Sequence, residues 1–141
     1  MPILPRKGIL AIAAVVDVAL HADERPVSAK TLALRHGLPP RHLEPVLQAL
    51  VREGILRGVR GPGGGYELAS DAHNITAEQI LRAAETVEDA NSSPVQSNSA
   101  LLANVVLPAI AQAEKALADA LARVTVADML RPAERARISR A

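Results

Sequence analysis

Apolar residues recur through the first third of the chain at the spacing of buried and amphipathic helices. Residues 7–21 are apolar nearly all round, which predicts a helix that is buried on more than one side. Ser28 can cap a second helix, and Gly37 is placed to end it. Pro39 and Pro40 suit the first turn of a third helix. Its inward stripe comprises Leu43, Val46, Leu47 and Leu50.

The third helix is expected to stop at Gly54 and to be followed directly by a β-hairpin. Two short extended runs, 55–60 and 66–69, flank the glycine-rich segment 61–65. Three helices followed by a hairpin are the layout of a winged helix-turn-helix, so the predicted fold is mainly α with one small β-hairpin. In that fold the third helix enters the major groove of DNA, and the hairpin, or wing, lies along the backbone.

A fourth helix and a long C-terminal helix complete the predicted order of elements. Thr76 and Gln79 have the spacing of a capping box ahead of the fourth helix. Pro108 is expected to kink the last helix or to mark the start of its main portion. Across residues 100–124, apolar positions recur at alternating spacings of three and four, which is a heptad seam. The seam comprises Ala103, Val106, Ile110, Ala113, Leu117, Ala120 and Val124.

The heptad seam predicts a dimerisation helix. Within a globular domain such a seam is more often internal packing, but here no later helix of comparable length could cover it, so we favour a homodimer. The expected division is a DNA-binding domain at 1–88, a loop at 89–99, the dimerisation helix with a short final turn at 100–130, and a flexible, frayed tail at 131–141.

Composition and charge narrow the partners of this fold. The 141 residues contain no Phe, no Trp and one Tyr, whereas single-stranded nucleic acid is usually held by aromatic stacking, so double-stranded DNA is the better candidate. The net charge is +1, but residues 1–66 carry nine Lys and Arg against five Asp and Glu, and residues 67–141 carry seven against ten. The N-terminal half is therefore the expected DNA-binding face.

Other classes of protein find little support. The apolar run 9–20 is too short to span a bilayer and no signal peptide is evident, so a cytoplasmic protein without membrane contact is expected. No nucleophile–base pairing or metal-ligand spacing indicates an enzyme or a metal site. The glycine run lacks the Lys-Ser/Thr ending of a nucleotide-binding loop. The four histidines are expected to be ordinary surface or helix-end residues, namely His21, His36, His42 and His73.

One segment, residues 38–69, resembles a family signature. It reads LPPRHLEPVLQALVREGILRGVRGPGGGYELA, and its most specific part is VRGPGGGYELA after a helix that carries HLEPVLQAL. The segment is similar to the Rrf2 family of winged helix-turn-helix transcriptional regulators, a bacterial group that includes IscR and NsrR. The resemblance covers roughly residues 7–88, with a weaker echo at VTVADML. It implies a sequence-specific DNA-binding regulator, here expected to be a repressor, that acts as a homodimer on a roughly palindromic operator.

The resemblance also assigns candidate DNA contacts. It implies that Arg41 and Glu44 read base edges from the exposed start of the third helix, that Arg60 lies on the wing, and that residues 63–66 form the wing tip near phosphates. The chemistry agrees, because Arg can donate two hydrogen bonds to guanine and Glu can accept one from cytosine. From the residues alone, a solvated helix face with an ion pair between positions 41 and 44 is equally consistent. The full set is Ser28, Lys30, Pro39, Arg41, His42, Glu44, Arg60, Gly63, Gly64, Gly65 and Tyr66.

The sequence departs from the family pattern in its cysteines. Cluster-binding members have three cysteines between the fourth helix and the dimerisation helix, whereas this chain has Ser92, Ser93, Ser97 and Ser99 there and no cysteine anywhere. Because serine is a poor ligand for such clusters, we expect no iron–sulfur cofactor, and the effector, a small molecule or a protein, stays open. The alternative function is a DNA-free adaptor that keeps the fold and binds another protein, without salt-sensitive affinity for DNA.

Overall fold

The computed structural model describes residues 6–87 and 100–136. The predicted order of elements is confirmed, while the loop 89–99 and the end of the tail lie outside the described residues. In chain order the elements are α1 (Arg6–Leu20), α2 (Ala29–His36), α3 (Pro40–Arg52), β1 (Leu56–Val59), β2 (Gly65–Leu68), α4 (Ala77–Glu85), α5 (Leu107–Leu121) and α6 (Val126–Ala136). A 3₁₀ turn (Ala72–Asn74) precedes α4, and a π-helical segment (Leu102–Val106) precedes α5.

Helix α1 is buried on several sides, as its all-round apolar pattern predicts. It packs against α3, α4, α6 and β2. The core around α1 is filled by aliphatic side chains, since the chain has almost no aromatic residues. The largest fully buried side chains are Leu32, Leu43, Leu47, Leu50, Leu56, Ile75, Ile80, Val15, Val18 and Val126.

The helix-turn-helix is formed by α2 and α3, and local signals set its boundaries. The Ser28 hydroxyl accepts a hydrogen bond from the Thr31 backbone N–H at 3.0 Å, which caps α2. Gly37 ends the helix in the left-handed conformation, with φ of 65°. Pro40 opens α3, where a missing N–H costs nothing. The predicted inward stripe of α3 is buried throughout.

The wing is a two-stranded antiparallel hairpin. Leu56 pairs with Leu68 and Val59 with Gly65, which leaves residues 60–64 as the connection. The hairpin is therefore shorter than the extended runs predicted from the sequence. Its tip turns through glycines with positive φ, of which Gly63 at 77° is one.

Helix α6 is longer than the sequence predicts. A short turn at 126–130 and a frayed tail from 131 were expected, but the helix runs to Ala136. A capping box starts it, because the Thr125 N–H donates to Asp128 Oδ2 and the Asp128 N–H donates to Thr125 Oγ1. Val126 is fully buried and Leu130 packs against the core, so α6 is anchored on α1.

Two strand-like contacts hold α6 in place. The Val126 N–H donates to the Ile75 carbonyl, and the Ala77 N–H donates to the Val124 carbonyl, each at 2.8 Å. The segment before α6 therefore pairs with the segment before α4. Among the described residues, no helix is long and apolar enough to cross a membrane.

Candidate nucleic-acid interface

The outward face of α3 is polar and open to solvent. Arg41, Glu44, Pro45 and Gln48 are exposed, whereas the opposite face of the same helix is buried. Within the described chain, no ion pair joins Arg41 to Glu44. The structure therefore lacks the ion pair that the alternative interpretation of this helix face requires. Both side chains are available to a ligand along α3.

Two other predicted residues lie at the start of α3. Pro39 is its N-cap residue and is exposed, but it provides no side-chain hydrogen bond. The His42 backbone N–H donates to the Pro39 carbonyl at 3.0 Å, and the His42 side chain is exposed. Lys30, also exposed, lies in the first turn of α2.

The wing is joined to the helix-turn-helix by a pair of backbone hydrogen bonds. The Tyr66 N–H donates to the Val27 carbonyl at 2.8 Å, and the Val27 N–H donates to the Tyr66 carbonyl at 3.0 Å. A Cβ on Gly65 would lie 2.5 Å from the Val27 carbonyl carbon and oxygen, and one on Gly64 would lie 2.2 Å from the Val59 carbonyl oxygen. Glycine is therefore required at both positions by close backbone approach.

This packing corrects the predicted wing tip. Gly63 and Gly64 lie in the connection, as expected, but Gly65 and Tyr66 belong to β2. Tyr66 is half-buried and packs against the core, because its strand is held against Val27. Of the predicted tip 63–66, only Gly63 and Gly64 lie in the connection, and Gly65 and Tyr66 join the wing to the core.

An open groove separates the wing tip from the start of α2. Its walls include Arg25, Ser28, Thr31, Arg35, Gly63 and Gly64. The N-terminus of α2, where unpaired N–H groups and the helix dipole favour anions, borders this groove. The Ser28 hydroxyl donates to Thr31 Oγ1 at 2.9 Å and caps the helix, so its hydrogen-bonding capacity is already largely used. Arg60 is exposed at the start of the connection between β1 and β2.

A buried carboxylate that the sequence analysis did not single out positions α2 against α1. Asp17 is 6% exposed, and its oxygens accept from Arg35 Nη1 at 3.2 Å and from His36 Nε2 at 3.0 Å. Arg35 Nη1 also donates to His21 Nε2 at 3.2 Å, while His21 Nδ1 donates to the Asp17 carbonyl at 2.8 Å. The two ring nitrogens of His21 therefore link the Arg35 side chain on α2 to the backbone of α1.

The predicted dimerisation seam lies largely on the surface. Val106, Ile110, Ala113, Ala120 and Val124 are exposed, and Leu117 is intermediate. Ala103 is exposed as well. Pro108 falls in the first turn of α5, which confirms that it marks the start of the main portion of the helix. On its α4 side, α5 borders a groove of about 470 Å³.

The donor set does not fit a cysteine-ligated iron–sulfur cluster. The 141 residues include no cysteine. Within the ranges 6–87 and 100–136, no group of three or more His, Asp or Glu side chains is placed to hold a metal ion. Asp17 lies near the imidazoles of His21 and His36, but it also contacts the Arg35 guanidinium. The positive charge of Arg35 would repel a metal ion at this site.

Sequence relatives of this chain are bacterial regulators. The HTH-type transcriptional regulators IscR of Vibrio campbellii and of Photorhabdus laumondii are each 39% identical to it over 87 residues, which is 62% of this chain. The matched segment is 52% and 53% of the lengths of those proteins. The chain thus spans about half the length of the curated relatives it matches.

Solved structures extend the likeness over nearly the whole chain. The T. potens IscR structure superposes with a TM-score of 0.72 at 32% identity, covering 94% of this chain and 89% of that one. CymR, the global cysteine regulator of B. subtilis, gives 0.67 at 26% identity, covering 92% and 97%. The family model for Rrf2, described as an iron-dependent transcriptional regulator, matches residues 4–132. Its match, together with the helix-turn-helix and wing described above, shows that the chain belongs to the Rrf2 family.

Proposed function

We propose that the chain is a sequence-specific, double-stranded-DNA-binding transcriptional regulator that acts in the cytoplasm as a repressor by occluding a promoter. It does so as a homodimer on a roughly palindromic operator and without an iron–sulfur cluster. The observation that carries the proposal is the placement of two exposed features on one unit. The polar face of α3 is exposed, α3 contacts β1 of the wing, and backbone hydrogen bonds join the wing to the start of α2.

The two features have different tasks on DNA. Arg41 and Glu44 are exposed and do not pair with each other. Arg41 carries donors that match guanine in the major groove, and Glu44 carries acceptors that match cytosine. Arg60 supplies a charge, and Gly63 and the N-terminus of α2 supply backbone N–H groups, which suit phosphates. The Gly64 N–H instead donates to the Gly61 carbonyl within the turn. The first task gives sequence preference, and the second gives affinity that depends on salt.

Selection from a randomised duplex library tests the proposal. We expect the purified protein to enrich one motif with dyad symmetry. Arg60→Ala should weaken binding to all duplexes and reduce the salt slope by about one, whereas Glu44→Ala should relax preference at one position of each half-site. Arg131→Ala, which removes the same charge from the exposed surface of α6, is the matched control and should leave binding unchanged.

If no motif is enriched and DNA binding does not depend on salt, the DNA-binding function is contradicted. The remaining hypothesis would then be the DNA-free adaptor that binds another protein. If Arg60→Ala and Arg131→Ala have equal effects, the wing is not a DNA contact.

The homodimer rests on the exposure of α5. Within the described residues, no side chain of this 15-residue helix is buried, although its sequence is mostly apolar. Ile110 is 51% exposed, and Val105, Val106 and Leu107 just before it are 58%, 40% and 42% exposed. A contiguous apolar surface of this kind is typical of a protein interface. A second copy would cover it and would place two α3 helices on two half-sites.

Two substitutions on opposite sides of α5 test the dimer. Ala113→Glu places a charge on the heptad seam, whereas Ala111→Glu places the same charge about 160° away around the helix. Both alanines are exposed, so neither change disturbs the core. We expect wild type and Ala111→Glu to sediment as dimers and Ala113→Glu to sediment as a monomer. Monomeric wild type, or dimers of both variants, would contradict the seam.

A further inference from the structure

The exposed face of α3 contains a further polar residue in line with Arg41 and Glu44. Each residue of an α-helix advances by about 100°, so positions 41, 44, 45 and 48 fall within an arc of roughly 100°. The buried stripe of the helix lies on the opposite side. Gln48 is exposed near the centre of the outward arc. It therefore shares one face with the two residues that are placed to read bases.

His42 occupies a different position on the same helix. It lies about 100° around from Arg41 and close to the angular position of Ala49, which is fully buried. His42 is consequently at the flank of the outward face, next to the body of the domain. Gln48 extends the line of Arg41 and Glu44 along the helix, and Arg52 follows on the same arc in the last turn.

Pro45, which lies between Glu44 and Gln48 on this face, has no polar side-chain group that could bind the same base as Gln48. Pro45 is exposed, and its side chain has no hydrogen-bonding group, so it can offer a base only an apolar contact such as one with a thymine methyl. The polar side chains on this arc between positions 41 and 48 are thus Arg41, Glu44 and Gln48. At 1.5 Å per residue they span about 10 Å, which is roughly three base-pair steps.

We propose that Gln48 is a specificity-determining residue that reads adenine in each half-site. The assignment rests on the proposed DNA-binding function and extends its reading face by one helical turn. The side-chain carbonyl of Gln48 accepts from adenine N6, and its NH₂ group donates to adenine N7, which is the pairing that the glutamine amide matches in the major groove.

The test measures affinity for the selected operator and for duplexes that carry each base substitution in turn. Wild type is compared with Gln48→Ala, with Gln48→Glu and with Gln112→Ala, a control with the same substitution at an exposed site on α5. In Gln48→Ala we expect the preference for adenine at one position of each half-site to fall by about fivefold to a hundredfold, while preferences elsewhere persist. Gln48→Glu should favour cytosine there, because a carboxylate can accept from cytosine N4 but cannot donate to adenine N7.

Three results would overturn the assignment of Gln48. They are an unchanged base preference in Gln48→Ala, a uniform loss of affinity on all duplexes as for a phosphate contact, and a lost preference for a base other than adenine. If wild type itself selects no motif, the proposed function fails, and this inference fails with it. Since Gln48 is exposed, the thermal unfolding of all three variants should match that of wild type.

Discussion

Replacing Gly65 by Ala adds one methyl group at the junction between the wing and the helix-turn-helix. The new Cβ would lie 2.5 Å from the Val27 carbonyl carbon and oxygen, and ordinary contact begins near 3.4 Å. The strand would have to move away by about 1 Å. Such a shift breaks the two backbone hydrogen bonds between Val27 and Tyr66, which measure 2.8 and 3.0 Å.

The cost of Gly65→Ala follows from these two bonds. Each contributes about 0.5–1.5 kcal/mol, so their loss costs roughly 1–3 kcal/mol. The unfolded chain loses some freedom with Ala, which returns about 0.4–1 kcal/mol. We expect a net loss of about 1–2 kcal/mol in the free energy of unfolding. Gly58→Ala is the matched control, because Gly58 lies in the same hairpin with nothing within 4 Å of its added Cβ.

Tyr66 makes the assay specific to the wing. It is the only tyrosine in a chain without Trp or Phe, so the near-ultraviolet circular dichroism and the tyrosine fluorescence report on this strand. We expect Gly65→Ala to change both Tyr66 signals, to preserve the helical far-ultraviolet signal, and to melt about 4–8 °C below Gly58→Ala at equal protein concentration. Equal melting temperatures of the two variants, with an unchanged Tyr66 spectrum, would refute the idea that this contact holds the wing.

Three further predictions concern the packing that supports the interface. Asp17→Asn removes the charge that holds α2 on α1, and it should lower the free energy of unfolding in chemical denaturation by about 2 kcal/mol, since the partners of Asp17 are only partly buried. The control Glu24→Gln, at an exposed site, should lower it by less than about 0.5 kcal/mol. Equal losses in the two variants would contradict a positioning role for Asp17. The pKa of Asp128 is lowered by hydrogen bonds from the backbone and then the side chain of Thr125, so its stabilising effect is present above the ordinary carboxyl pKa of 3.8 and is lost as the pH falls through the lowered value. The difference in stability between wild type and Asp128→Asn should therefore shrink in strong acid, and a constant difference across an acid titration would count against it. Leu130→Ala should cost about 1–2 kcal/mol in thermal unfolding because its side chain packs on the core, whereas a frayed tail would show no loss.

Local patterns predicted most of the helices and their ends. The inward stripe of α3 depends only on 3.6-residue periodicity, and the ends of α2 depend on Ser28 and Gly37, which act within a few residues. Gln48 is also recoverable from helical spacing, although it lies outside the positions that the family resemblance marks. The Thr125 and Asp128 capping box was likewise present in the sequence. It begins a helix whose extent depends on packing against α1.

Long-range contacts account for what the sequence did not reveal. Asp17 meets Arg35 and His36 across 18 and 19 residues, and no local pattern identifies such partners. The half-burial of Tyr66 likewise depends on Val27, in a segment far upstream. A glycine-rich hairpin predicts a turn, but which of its glycines lie in the exposed connection and which approach the helix-turn-helix is decided by the packing of the wing.

The most direct test of the account is equilibrium binding of the purified protein to its selected operator and to a scrambled duplex of equal length and composition, across a range of salt concentrations. The account predicts binding to the operator that is at least about 10³-fold tighter than to the scrambled duplex, with both affinities falling as salt rises. Equal affinity for the two duplexes at every salt concentration, or no measurable binding to either, would contradict a sequence-specific regulator.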